Sequence, residues 1–545
     1  MGTGHLRERA AFLFDQGFAN VPETQIVQLP LRNQSLPNFS EDSLGSYQKY
    51  IPNTTGICKV PPSRINRIHS YEVHHIAILD IILLNIDRHL GNILIDKDNH
   101  IYPIDHSLIL PLCTRGLTFG WMQLPQISWP MSRHTKKYIS TIDIKENVKK
   151  LTEMNIEKES IQRMVISTHL LQKATQAGFT LFHIGKLMMN GTENLKGESY
   201  NNWRGQSFFE DFISYAILKG GQNMEVFLDG VIQKYRENHN IKEETEDLFA
   251  KENWTVEEIA KGVSLSTFHG DALEGKHEIY VIKIDNSQKN TKFTYRIRII
   301  DARDYNNNKI DPKMPLNEVL AACPDSIAMI NGGFFHFYHD KGRQFYYSWD
   351  SPYREGDPCG ALQINGKVRE VNPTNIGGLW GIFSSSIYGK PSIKEDHLEP
   401  LYENFESLGS SPILIKDGKM TNLQERASEI FKTSQALVRP GNFADHIFAR
   451  HARSAVGIME DDSILLVSVN GSGEGYSGMT GEELATLMDS LSAKDVLNMD
   501  GGGSTSMVLR RKGHENIETL IPKKIQPRRI TSILSIEKHN TQNEI

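Results

Sequence analysis

The feature that most constrains this chain is a change of texture part-way along it. Up to about residue 192 the sequence mixes helical patterns with two short apolar runs around a polar motif. From about 263 it turns strand-rich: EIYVIKID, YRIRIID, SILLVSV and VLNMD are β-branched apolar runs bounded by Gly, Asn and Asp. Between the two lies a polar stretch that includes the charge-dense Tyr235–Glu258, which reads as a solvated helix or linker. A chain of 545 residues is also too long for one apolar core. The expected organisation is a domain over 1–192, a helical linker over 193–262 and a second domain over 263–540. One clear helix interrupts the later strands, TGEELATLMDSLSA, with Thr480 as its N-cap and glutamates in its first turn.

Composition narrows the function classes. A formal net charge of -6 argues against a bulk nucleic-acid binder. No run of eighteen apolar residues predicts a membrane span, and the first residues lack the apolar core of a signal peptide. The four cysteines, Cys58, Cys113, Cys323 and Cys359, have no CxxC spacing and read as reduced thiols. A cytoplasmic location is expected, with a secreted effector as the alternative.

In the front half, an apolar helix over Ile76–Leu84 leads into Asp87-Arg88-His89-Leu90-Gly91-Asn92. A strand Ile93–Ile95, a turn at Lys97-Asp98-Asn99 and a second strand ending in Asp105 follow. Phosphoryl transfer needs a carboxylate at the attacking hydroxyl and further oxygen ligands for magnesium. Asp87 is the candidate for the first role, and Asn92 and Asp105 for the second; a tight hairpin brings the two ligands together. A lone Asp beside an Arg is commonly a surface ion pair, so it is the ordered set that carries the signal. That set resembles the catalytic and metal-binding loops of the phosphoinositide 3/4-kinase superfamily, most closely the plant-type phosphatidylinositol 4-kinase gamma group. LRERAAFLFDQGFANVPET looks like that group's helix after the lysine strand, GSYQKYI like its hinge, and FGWMQLPQISWP and VISTHLLQKATQAGFTLFHIGKLM like its later lobe, so the resemblance covers residues 5 to about 189. It implies Mg2+ and ATP as cofactors and a phosphoinositide or protein substrate. In that family Glu8 would pair with a nucleotide-binding lysine on an earlier strand, but only seven residues precede it here. The expectation is an N-terminally truncated chain, or else a degenerate kinase, without robust kinase activity.

Four patches of the back half carry chemistry. Ala328–Phe335 (AMINGGFF) ends an apolar strand in Asn331, a Gly pair and two aromatics, which read as core on their own and as a sugar platform in context. HARSAVGI presents His451 and Arg453, and an Arg there either clamps a phosphate bidentately or pairs with a structural carboxylate. Val469-Asn470-Gly471-Ser472 and the following YSGMTGEEL deliver a helix start. Leu497–Ser506 (LNMDGGGSTS) puts Asp500 at a strand end before Gly501, Gly502, Gly503, Ser504 and Thr505, where successive amides can nest an anion. In this order the patches resemble the phosphodiester glycosidase family, which shows NAGFF-like, RTAIG-like, VDGR…SxGxTxxELA and NLDGGGSS runs. SSPILIKDGK resembles its GPxLVxxG run; Asn470 stands where that family commonly has Asp.

The resemblance implies hydrolysis of a sugar from a sugar 1-phosphodiester. Asp500 and Glu483 are the expected catalytic carboxylates, and Asn331 and Asn498 the orienting groups. Arg453, His451 and the amides and hydroxyls of residues 501–505 are expected to bind the phosphate, with a divalent ion near Asp500. The fold class expected is thus a mainly helical α+β kinase-like lobe followed by a strand-rich α/β phosphodiester glycosidase domain. The alternative function is a phosphotransferase with an accessory glycosidase domain.

Overall fold

The computed structural model describes residues 4–28, 44–65, 67–114, 117–190, 210, 224–239, 253–273, 275–285, 295–306, 313–335, 356–370, 381–385, 390–395, 406–423, 447–471, 474–511, 516–523 and 527–538. The chain divides into two compact units, Met1–Glu246 and Asp247–Ile545.

The first unit is built on helices α1 (Gly4–Asp15), α2 (Pro62–Ile65), α3 (Ser70–Leu83), α4 (Arg133–Ser140), α5 (Ile144–Glu153), α6 (Lys158–Gln176), α7 (Leu181–Asn190) and α8 (Met224–Asn238). Its strands are β1 (Thr24–Gln28), β2 (Leu44–Gln48), β3 (Thr55–Gly56), β4 (Ile93–Ile95) and β5 (Ile101–Pro103), with β1 paired to β2 and β3-β4-β5 forming a small sheet. Almost every residue of α3 is buried, polar ones included. A helix apolar nearly all round belongs in a core, and α3 is this unit's axis, packed against α6. α8 falls in the span read as a linker, yet Leu228, Val231, Ile232 and Tyr235 are buried in the same core. Glu225, Asp229 and Glu237 face outward while Arg236 reaches in to the Ala177 carbonyl, which makes this an amphipathic helix.

The second unit has strands β6 (Trp254–Ala260), β7 (Val263–Ala272), β8 (Gly275–Ile284), β9 (Tyr295–Asp301), β10 (Ser326–Asn331), β11 (Leu362–Ile364), β12 (Lys367–Glu370), β13 (Gly381–Ser385) and β14 (Ser392–Glu395). They continue as β15 (Glu406–Ser410), β16 (Ile413–Lys416), β17 (Lys419–Met420), β18 (Arg453–Met459), β19 (Ile464–Val469), β20 (Ala493–Asn498), β21 (Met507–Arg510), β22 (Ile517–Ile521) and β23 (Ser532–Lys538), with helices α9 (Leu316–Ala322) and α10 (Gly481–Ser490). β6 starts nine residues before the boundary expected at 263 and pairs with β7 as an edge strand. Its acidic pair Glu257-Glu258 lies on an exposed sheet edge, a place where charge blocks edge-to-edge association.

Three sheets make this unit: an eight-stranded one ordered β17-β16-β20-β18-β19-β8-β7-β6, a five-stranded one ordered β22-β21-β10-β23-β9, and a second five-stranded one ordered β12-β11-β15-β13-β14. Side chains alternate between faces. Tyr280, Ile282, Ile299, Ile330, Phe383, Leu497 and Leu534 meet in one core shared by the three sheets. Val281, Val467 and Val496 point the other way, onto α10 residues Leu484 and Leu487. Met329 and Ile533 point onto α9 residues Leu316 and Leu320. α10 begins as expected: Thr480 caps it, and Glu483 closes a reciprocal capping box.

In the first unit the polar loop around Asp87 is fixed by one buried arginine. Arg88 donates from Nε and Nη2 to the two oxygens of Asp80 (2.8 and 3.2 Å) and from Nη1 to the carbonyls of Asn92 (2.7 Å) and Ile104 (2.6 Å). Arg88→Met leaves the Asp80 charge buried and uncompensated, which costs about 3–5 kcal/mol. Urea unfolding followed by tryptophan fluorescence reads this as a lower midpoint for the transition of this unit; an unchanged midpoint would refute the role given to Arg88.

Candidate functional site

Both large sheets of the second unit end at the same place. β8, β19, β18 and β20 run side by side in the eight-stranded sheet, and one end of this row presents Glu278, Asn470, Ala452 and Gly502. The Asn470 amide donates to the Glu278 carbonyl (2.9 Å), and the Gly502 amide to the Ala452 carbonyl (2.8 Å). After β20 the chain crosses through residues 499–506 into β21 of the five-stranded sheet. There Met507 pairs with Ile330 on one side and Ile521 on the other. β22 ends at Ile521 and β23 starts at Ser532, whose carbonyl accepts from the Gly332 amide (2.7 Å). This crossing is the candidate site.

Asn331 sits at its centre, fully buried. Its Nδ2 donates to the Asp500 carbonyl (2.7 Å), and its Oδ1 accepts from the Ser454 hydroxyl (2.7 Å) and the Ser506 amide (3.0 Å). Asp500 itself is half-buried. Burial pushes its carboxyl up to about 6, against the opposing pull of the Ser504 hydroxyl, the Arg528 charge and the Gly501 amide. Gly502 has φ +59, a left-handed conformation open to glycine. At Gly503 a Cβ would lie 2.7 Å from the Arg528 guanidinium, so glycine there admits the arginine. Arg528 Nη1 in turn donates to Ser504 Oγ (3.3 Å). No sequence pattern singled out Arg528; its signal was the basic run KKIQPRR late in the domain.

Several expected roles change. Arg453 is fully buried and donates to the carbonyls of Met479 (2.7 Å), Ala449 (2.7 Å) and Ile447 (3.3 Å). Burial lowers its pKa to about 9 even with Glu483 nearby. Through Nε and Nη2 it ties together the loops that carry these carbonyls. Glu483 is equally buried; one oxygen accepts the Thr480 amide (2.8 Å) and the other takes the Arg450 guanidinium. It is committed to the helix cap and is not placed as a catalytic carboxylate. The anion nest is not formed as expected either: the amides of Gly501, Gly502, Ser504 and Thr505 donate to Asp500, Ala452, Gly501 and Gly502. Asn498 is buried and gives its Nδ2 to the Ser411 carbonyl (2.8 Å), supporting the crossing from below. His451 exchanges backbone hydrogen bonds with Met479, and burial lowers the pKa of its imidazole. Phe335 packs with the α9 core. Among the described residues no group of three or more His, Cys, Asp or Glu side chains could hold a metal, so the ion expected near Asp500 finds no such ligand set.

In the first unit the hairpin closes as expected, with Ile93 paired to Pro103 and the Ile104 amide on the Asn92 carbonyl (3.0 Å). Asn92 spends its Nδ2 on the Asp87 carbonyl (3.2 Å), which leaves its amide oxygen as a donor to a cation. Asp105 is exposed, in a left-handed backbone conformation (φ +57), and accepts from Ser107 (2.7 Å). Two oxygen donors on one hairpin fit a magnesium ion that completes its shell with phosphate and water. Glu8 accepts the His106 amide (2.8 Å). No helix among the described residues is long and apolar enough to cross a membrane.

Comparison with known proteins assigns a family likeness to each unit. Residues 325–536 match the family model of phosphodiester glycosidase, and residues 7–184 that of phosphatidylinositol 3- and 4-kinase. The chain therefore pairs a kinase-like region with a strand-rich region like the glycosidases. Phosphatidylinositol 4-kinase gamma 4 and gamma 3 of Arabidopsis thaliana are each 34% identical to it, over 36% of this chain. The chain spans 38% of the length of these curated relatives. Among solved structures, the catalytic domain of zebrafish N-acetylglucosamine-1-phosphodiester alpha-N-acetylglucosaminidase, auto-inhibited by its pro-peptide, is 17% identical with a TM-score of 0.35, over 53% of this chain and 84% of that one. A hypothetical protein from Synechocystis is 15% identical with a TM-score of 0.36, over 52% and 64%.

The Asp500 carboxyl gives a stability test. Its folded pKa of about 6 lies above the ordinary 3.8. The fold therefore disfavours the ionised form, and stability falls as pH rises through this window, with the full penalty above about pH 6. Asp500→Asn should raise the melting temperature relative to wild type near pH 8 and leave it unchanged near pH 4. Equal differences at both values would contradict the perturbed carboxyl.

Proposed function

We propose that the Asp247–Ile545 unit hydrolyses the bond between a sugar and a phosphodiester at the crossing around Asp500. The observation that carries this reading is the pairing of a carboxyl of raised pKa with an exposed arginine that lies against the same glycine loop and donates to Ser504. Arg528 and the Ser504 hydroxyl hold the phosphate. Asp500, ionised above about pH 6, takes a proton from water as its oxygen attacks the anomeric carbon. The carbon–oxygen bond to phosphorus breaks, and the phosphate leaves with the electron pair. Common glycoside hydrolysis uses two carboxylates, one to protonate the leaving oxygen. Here Glu483 is spent on the helix cap, and a phosphate leaves without being protonated, so one carboxylate suffices. Arg528 supplies charge to the leaving group as it develops.

Release of sugar from the methyl diester of a sugar 1-phosphate measures this directly. Activity should rise with pH through about 6, Asp500→Asn should lower kcat by about 10²–10⁴, and Arg528→Met should raise KM. A folded wild type that releases no sugar from any such diester, or an Asp500→Asn enzyme of full activity, would defeat the proposal.

A second reading belongs to the other unit. The Arg88 staple holds Asp87, Asn92 and Asp105 on one rigid loop, an arrangement suited to phosphoryl transfer onto a lipid or protein hydroxyl. Asn92 and Asp105 would hold a magnesium ion, which neutralises phosphate charge when bound; Asp87 would accept the proton of the attacking hydroxyl. Mg2+ with ATP should raise the melting temperature of the wild type and not of Asp105→Asn. The same rise in both proteins, or in neither, would remove this reading.

A further inference from the structure

The segment that delivers Arg528 also delivers a second cation, and the proposed chemistry leaves it unused. Lys523 lies two residues beyond the end of β22 at Ile521, five residues before Arg528. Its Nζ donates to Oε1 of Glu278 (2.8 Å) and lies 5.3 Å from the centre of the Tyr280 ring. Glu278 belongs to β8, in the other sheet, so this ion pair joins the two sheets across their common end.

The pair is asymmetric. The Glu278 side chain is 2% exposed and that of Lys523 44% exposed. The carboxylate is held on every side the ammonium leaves: its second oxygen accepts from Asn470 Nδ2 (2.6 Å), Tyr280 donates to its first (3.0 Å), and the His269 ring stands 3.5 Å away. The pair therefore faces solvent with its positive end. An ammonium carries three donors, and Glu278 and the Tyr280 hydroxyl take two. A lysine normally loses much rotamer freedom on binding a ligand; Lys523 is already restrained. Asn470 also donates to Glu474 (3.0 Å). An aspartate at 470 would instead set a third carboxylate against Glu278 and Glu474, so the asparagine keeps Lys523 as the dominant charge here.

Lys523 and Arg528 stand at opposite ends of the row Glu278, Asn470, Ala452, Gly502. Three strand spacings separate the ends of that row, about 14 Å. One phosphate does not span it.

We propose that Lys523 and Arg528 form a two-armed cationic clamp, and that the substrate bears a second anionic group beyond the phosphate at which it is cleaved. The inference rests on the reading of Asp500 and Arg528 given above and adds to it the charge of the group leaving with the phosphate. Arg528 takes the scissile phosphate, and Lys523 the distal anion.

Binding tests the clamp without turnover. Calorimetry on the full chain, with EDTA present, compares glycerol 1,3-bisphosphate with glycerol 3-phosphate. Wild type should bind the bisphosphate about tenfold more tightly, the worth of one well-placed charge contact. Lys523→Met should abolish that advantage and Lys523→Arg should retain it. Because Lys523→Met strands the Glu278 charge, the double variant Glu278→Gln/Lys523→Met serves as its folded counterpart and should also show no preference. Equal affinities in wild type, no binding of either ligand, or a preference that survives in the double variant would overturn the clamp. Hydrolysis of the methyl diester, which has no distal anion, is judged separately, so loss of the clamp and loss of the hydrolase reading are told apart.

Discussion

The side chain of Asn331 joins three pieces of the second unit that would otherwise have no reason to meet. It closes the end of β10, receives the Ser454 hydroxyl from β18, and holds the backbone on both sides of the glycine loop through the Asp500 carbonyl and the Ser506 amide. A buried primary amide with each of its bonds satisfied is stable, and one with a partner missing is costly. The carboxyl of Asp500 therefore has a defined position although three glycines follow it. The crossing between the two large sheets depends on that amide.

Around this centre, charge is sorted by depth. Arg453 and Glu483 lie inside, where Arg453 donates to backbone carbonyls and Glu483 holds a helix cap and Arg450. Asp500, Arg528 and Lys523 lie towards solvent. Burying a charge is costly unless it is hydrogen-bonded, and a fully buried arginine that donates to carbonyls stabilises the loops that carry them. Arg528 instead lies at the surface over a glycine. The same sorting appears in the first unit, where Arg88 is buried as the staple and Asp105 stays exposed on the hairpin it fixes.

Much of this was legible in the sequence. The β8, β9, β19 and β20 runs, the hairpin from Ile93 to Pro103 and the cap at Thr480 follow from period, turn residues and capping chemistry, which are local. Asp500 and Asn331 were legible as strand ends before glycines. The misreadings share one cause. Arg453 and Glu483 were judged by residue type, but burial decided their roles, and burial is set by the distant strands that cover them. α8 lay in the span 193–262 read as a polar helical linker, and the spacing of Leu228, Val231, Ile232 and Tyr235 was not used. Arg528, Lys523 and Glu278 were missed because they converge only when the two sheets do, from positions up to 250 residues apart.

The most direct test of the account is a crystal structure of the full chain with a non-hydrolysable phosphonate analogue of a sugar 1-phosphodiester. The account predicts phosphonate oxygens on Arg528 and Ser504, with the anomeric carbon facing the Asp500 carboxyl. A phosphonate bound at Arg453 after rearrangement of the loops around it, or bound only in the Met1–Glu246 unit, would contradict it.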